Sequence, residues 1–116
     1  MWSVKFSPEA MKDMKKIDNS LRAQVLVGIR KVMKNPLPQS EGGFGKPLGN
    51  VGGTDLTGFF KIKYRGIGIR VVYTLVRKDE VMNIIVVSLR EDGVSYQKAE
   101  KRKDKYGKKI FEDIFE

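Results

Sequence analysis

The sequence predicts an α+β domain in which an N-terminal strand and a helical hairpin pack on a small antiparallel sheet, with a C-terminal helix closing the chain. Three observations carry this. Apolar residues recur every three or four positions between residues 11 and 33, the period of a buried helical face. Between residues 60 and 89 they alternate with polar residues or run almost unbroken, as in strands. From Ser95 onward the composition turns helical again.

At the N-terminus, Trp2, Val4 and Phe6 alternate with Ser3 and Lys5, a short first strand. Ser7 offers an N-cap, Pro8 fits the first helical position, and Glu9 suits the positive helix end. Met11, Met14 and Ile17 give this helix its stripe until about Asp18. Asp18-Asn19-Ser20 supplies a turn and a new cap, and Leu21, Val25, Ile29, Val32 and Met33 mark a second helix that Asn35-Pro36 stops. Two helices joined this tightly form an antiparallel hairpin.

Residues 37–58 hold seven of the twelve glycines and two of the four prolines, which reads as a long loop. Three antiparallel strands then meander. The first is Lys61-Ile62-Lys63-Tyr64-Arg65, and Gly66-Ile67-Gly68 permits a reversal. Ile69, Val71, Tyr73 and Leu75 alternate along the second, which turns at Arg77-Lys78-Asp79-Glu80. Val81–Leu89 is nearly continuous in apolar residues, as expected of an interior strand covered on both faces.

In the last helix, residues 96–109 carry seven basic and two acidic side chains. Residues 110–116 carry Ile110, Phe111, Ile114 and Phe115 with three acidic groups. The expected division is a domain over 1–109 and an acidic amphipathic tail over 110–116. The tail either docks through its apolar residues or shields the basic helix beside it.

Composition narrows the partner. With 23 Lys and Arg against 14 Asp and Glu, the formal charge is +9, the footprint of a nucleic-acid binder, although a membrane surface or an acidic protein would also fit. The N-terminus lacks the apolar core of a signal peptide and no apolar run approaches a membrane span, so a soluble cytoplasmic protein without a membrane partner is expected. Cysteine and histidine are absent, which excludes disulfides, thiolate nucleophiles, His-based metal sites and the usual imidazole base. Neither a metal nor another cofactor is expected.

The most informative segment is the cationic strand. A period of two puts Lys61, Lys63 and Arg65 on one face and Phe60, Ile62 and Tyr64 on the other. Three cations on one face repel one another, and a phosphate backbone would relieve that repulsion.

These pieces resemble the RelE/ParE superfamily of bacterial type II toxins. The matching residues are Lys46-Pro47-Leu48, Gly58 with Lys61-Ile62-Lys63-Tyr64-Arg65, Arg70-Val71-Val72-Tyr73, and the later pair Arg90 and Tyr96. The resemblance implies a RelE-like fold. In the RelE branch it implies an endoribonuclease that cleaves mRNA in the ribosomal A site, inhibits translation and is silenced by a small antitoxin. In the ParE branch it implies a non-catalytic toxin that poisons DNA gyrase. Lys61, Lys63, Arg70, Arg90 and Tyr96 match the RelE-type functional residues in type, which favours the ribonuclease. Lys46, Arg65, Lys98 and Arg102 are assigned to RNA binding. Two departures are the acidic Glu91-Asp92 between Arg90 and Tyr96 and the long C-terminus.

Metal-free RNA cleavage turns the ribose 2′-hydroxyl on its own phosphodiester, which needs a base, charge stabilisation and a proton source. Without histidine, the base is a lysine whose pKa neighbouring cations lower, or else Tyr96. Arginine stays protonated and its planar fork matches phosphate oxygens, so Arg70 and Arg90 suit the role of clamps.

Overall fold

The computed structural model describes residues 1–91 and 93–116. Ser7 caps the first helix as expected: its side chain accepts from the Ala10 N–H at 3.1 Å, and α1 runs over Pro8–Lys15 directly after strand β1 (Ser3–Phe6). Arg22, in the first turn of α2 (Asn19–Val32), donates to the carbonyls of Ile17 at 2.9 Å and Lys15 at 3.2 Å. Those bonds occupy carbonyls that the end of α1 leaves unpaired, and they fix the two helices together. The inner face of α1 starts at Ala10 and continues to Asp13 and Met14, whereas Met11 is 46% exposed and lies outside the core that the spacing assigned it to.

The remaining elements are β2 (Lys46–Val51), β3 (Thr54–Tyr64), β4 (Ile69–Val76), β5 (Val81–Leu89) and α3 (Val94–Tyr106), with a short 3₁₀ turn at Gly107–Phe111 after the last helix. The strands form one sheet in the order β1-β5-β4-β3-β2. Three of its four pairings are antiparallel, and β1 joins β5 in parallel. Among the described residues no helix is long and apolar enough to cross a membrane.

The expected loop over 37–58 is a correction, since it contains β2 and the first part of β3. An edge strand with one free side tolerates Pro47 and needs no apolar alternation, and its register shifts between Pro47 and Gly49, so the periodic signal vanished. Gly58 bends β3 at φ +88°, and a Cβ there would come within 2.8 Å of the Phe111 ring. A residue without a side chain is required on both counts.

Both faces of the sheet are covered. On one, Phe60, Ile69, Val71, Tyr73, Met82 and Ile84 pack with Met14, Val25 and Ile29 of the helical pair. Tyr64 reaches α2, donating to the Val25 carbonyl at 2.6 Å, and a Cβ on Gly28 would collide with its ring. On the other face, Leu56, Phe59, Val72 and Ile85 pack with Ala99 of α3 and with Ile110 and Phe115. Residues 110–116 therefore lie against the core: Thr74 donates to the Ile110 carbonyl at 2.6 Å, and Asn83 donates to the Glu112 carbonyl at 3.0 Å.

One irregularity in β5 decides where its last residues point. Tyr73 pairs with Ile84, but Val72 pairs with Val86, so one residue of β5 is inserted into the ladder. Such a bulge reverses which face the later residues occupy. Beyond it, Val87 joins the helical-pair core, while Val86 and Ser88 turn toward α3.

Candidate functional site

Cross-strand register assembles the cations, because directly opposed residues project from the same face. Lys46 opposes Lys61, Lys63 opposes Arg70, and Arg70 opposes Ser88. Arg90 comes just after the end of β5, where its backbone N–H donates to the Gly68 carbonyl at 2.8 Å beside the β3–β4 turn. Tyr96, in the first turn of α3, lies with its ring centroid 4.7 Å from the Arg70 guanidinium. The structure thus brings Lys61, Lys63, Arg70, Arg90 and Tyr96 to one face at the start of α3.

The Lys61 ammonium, then partial burial, then Arg70 and Arg90 hold the Lys63 pKa below its ordinary 10.5. Among the described residues no carboxylate forms an ion pair with Lys61, Lys63, Arg70 or Arg90. Asp55, the acid of β3, accepts from the Thr57 hydroxyl at 2.6 Å and backbone at 3.0 Å. Asp92 lies outside the described residues. The Arg70 Nε is buried with no hydrogen-bond partner among the described residues.

The four residues assigned to RNA binding divide. Lys46 is exposed on edge strand β2 next to Lys61, and Arg65 is exposed just after β3, so both border the cluster. Arg102 is a correction. It makes a two-pronged ion pair with Asp13, at 2.6 and 3.1 Å, and donates to the Ile85 carbonyl at 2.7 Å. Lys98, one helical turn earlier, leans toward the same carboxylate at 4.0 Å. The reason is a gap in the sheet. β1 pairs with β5 only as far as Ile84, so the next stretch of β5 has backbone groups with no strand beside them. Asp13 accepts from the Val87 N–H at 3.0 Å while Arg102 takes the Ile85 carbonyl, and the ion pair substitutes for the missing strand.

Sequence reasoning missed Asp13, Ser88 and Ser95. Asp13 was visible as an acid on the inner stripe of α1, one residue before Met14. Ser88, like Asn83, interrupts an otherwise apolar interior strand, where an unexplained polar residue implies a partner. That partner is Ser95, whose hydroxyl lies 2.6 Å from the Ser88 hydroxyl.

Comparison with known proteins gives a consistent placement. A putative RelE-like toxin protein of Escherichia coli is 26% identical over 104 residues, covering 87% of this chain and 96% of that protein. The free-state structure of a mutant E. coli RelE toxin superposes with a TM-score of 0.69 at 25% identity, covering 87% of this chain and 96% of that one. The toxin in the intact E. coli RelBE toxin-antitoxin complex shares the fold, with a TM-score of 0.59 at 24% identity over 78% of this chain and 99% of that one. The model of the ParE toxin of type II toxin-antitoxin systems matches residues 4–93. With most of its length inside that match, on a sheet shared with RelE, the chain belongs to the ParE toxin family, within the RelE/ParE superfamily of type II toxin-antitoxin systems.

Proposed function

We propose that this toxin is a metal-independent endoribonuclease that cleaves mRNA, in the ribosomal A site, within the cytoplasm. The observation that supports it most is the gathering of Lys61, Lys63, Arg70 and Arg90 around one point with no carboxylate among the described residues to neutralise them. In this reading Lys63, with its lowered pKa, removes the proton from the ribose 2′-hydroxyl. The 2′-oxygen attacks phosphorus, the bond to the 5′-oxygen breaks, and the products are a 2′,3′-cyclic phosphate and a free 5′-hydroxyl. The Lys61 ammonium supplies the proton for the departing 5′-oxygen. Arg70 and Arg90 hold the phosphoryl oxygens as negative charge develops, and the Tyr96 ring carries Arg70 on its face. Lys46 and Arg65 bind flanking phosphates.

A cognate antitoxin completes the system, by analogy with the RelBE complex that shares this fold. The second reading is a gyrase poison, favoured by the ParE description of the matched family. Primer extension on a translated message after brief induction separates the two. New discrete 5′ ends within codons support the nuclease, and intact message with blocked DNA supercoiling supports the gyrase reading and rejects cleavage.

A further inference from the structure

Two neighbouring residues of the sheet touch two neighbouring residues of α3. Arg70 and Ser88 oppose one another across β4 and β5, while Ser95 and Tyr96 are consecutive in the first turn of the helix. Arg70 meets Tyr96 with its guanidinium 4.7 Å from the ring centroid, and Ser88 meets Ser95 at 2.6 Å between hydroxyls. Ser88 is 5% exposed and Ser95 fully buried, so the second contact is shielded from water. The Ser88 hydroxyl also reaches the Leu89 carbonyl at 3.3 Å.

This bond has few substitutes. Gly93 occupies the N-cap position of α3 and gives no side-chain cap, so nothing of that kind fixes where the first turn sits. The Arg70 Nε has no hydrogen-bond partner among the described residues, which leaves its guanidinium to be directed by the ring it lies against. Wherever Ser95 is held, Tyr96 goes with it, and Arg70 goes with Tyr96.

We propose that Ser88 is a positioning residue acting through Ser95: the buried hydroxyl pair sets the Tyr96 ring against Arg70 and so aims the guanidinium at the scissile phosphate. The proposal rests on the nuclease reading of this face.

The test uses the full-length protein and two readouts. One is the Arg70 side-chain Nε–H signal in NMR, which the Tyr96 ring current displaces, assigned by its disappearance in Arg70→Lys. The other is single-turnover cleavage of a translated message beside RNA affinity. Ser88→Ala is expected to return the Arg70 signal toward that of a free arginine and to slow cleavage about ten- to a hundredfold, as small misplacements of a catalytic group do. RNA affinity should stay within about twofold, since uniform binding is untouched. Ser88→Thr, which keeps the hydroxyl, should restore both readouts. If Ser88→Ala does not fold, Ser95→Ala removes the same bond from the helix side and must give the same two changes. A folded alanine variant with an unmoved Arg70 signal overturns the proposal, as does lost rate that Ser88→Thr fails to rescue. Should the wild type cleave no RNA, the nuclease reading falls, and the Arg70 signal alone then sustains or overturns the positioning role.

Discussion

Two regions on α3 and the strands beside it hold clusters of cations, and they treat charge in opposite ways. At the β5 edge, Arg102 and Lys98 converge on Asp13, which is 3% exposed, and Asp13 and Arg102 also take up backbone groups that lack a strand partner. Around Lys63, four cations crowd together with no carboxylate among the described residues to offset them. Cations that complete the fold have their counter-charge built into the chain, whereas those at the start of α3 meet no carboxylate among the described residues. Net charge alone, at +9, does not separate the two.

The sharpest way to break this comparison is to exchange the roles of its arginines. Arg102→Ala strands the Asp13 carboxylate and should destabilise the fold by about 3 to 5 kcal/mol in urea titration, the usual consequence of removing one partner from a buried pair. Lys98→Ala, touching the same carboxylate at 4.0 Å from a more exposed position, should change stability by less than about 1 kcal/mol. Equal losses from the two variants would show that the edge is not closed by Arg102.

Arg70→Ala should do the reverse. Its fold should melt within a few degrees of wild type, while single-turnover RNA cleavage falls about 10²- to 10³-fold, the loss typical of one donor to developing negative charge. Full cleavage in Arg70→Ala would remove the catalytic half of the contrast.

A gentler probe is pH. Because Lys63 titrates below its ordinary 10.5, chiefly through Lys61, the cleavage rate should climb as pH rises through that lowered value. Lys61→Met removes the leading repulsion together with the proton donor, so the residual rate should be lower and its climb should move to higher pH. An unmoved profile would assign the base elsewhere, with Tyr96 the remaining choice.

The smallest effect concerns a third, fully neutralised contact. Glu9 accepts from Lys105 at 2.5 Å and Tyr106 at 2.6 Å, tying the start of α1 to the end of α3. Burial alone would raise its pKa, but these two bonds prevail and hold it at about 2. A depressed carboxylate stabilises the fold fully above its unfolded value of 4.5 and loses that contribution as pH falls toward 2. Wild type should therefore lose on the order of 1 to 2 kcal/mol more than Glu9→Gln between pH 5 and 2, after allowance for solvent screening at the exposed Lys105. Parallel acid titrations of the two proteins would rule the contact out as a stabiliser.

How much of this was legible in the sequence depended on periodicity. The helical pair, β4 and β5 announce themselves through regular apolar spacing, and the cationic alternation of Lys61, Lys63 and Arg65 marks the candidate face from one strand. β2 was hidden because an edge strand with proline and glycine has no period to read. Arg102 was misassigned because a run of basic residues looks uniform in sequence, while only the fold shows which of them meets Asp13. β1 itself was read from its alternation, but its parallel pairing was not: direction is set by where the chain returns, and no local pattern records it.

The inserted residue in β5 has a consequence best put as arithmetic. Counting by twos from Met82 and Ile84 sends Ser88 and Arg90 to the face of the helical pair, and the extra residue changes the count from even to odd. The site is thus protected by number as much as by chemistry. A deletion of one codon between Ile84 and Val87 would remove the bulge and leave every flanking cross-strand pair in place, whereas a deletion of two would keep every residue of the candidate site and scatter them across two sides of the sheet. Among natural variants of this strand, loss of the single inserted residue should accordingly be the length change that leaves the site on one face.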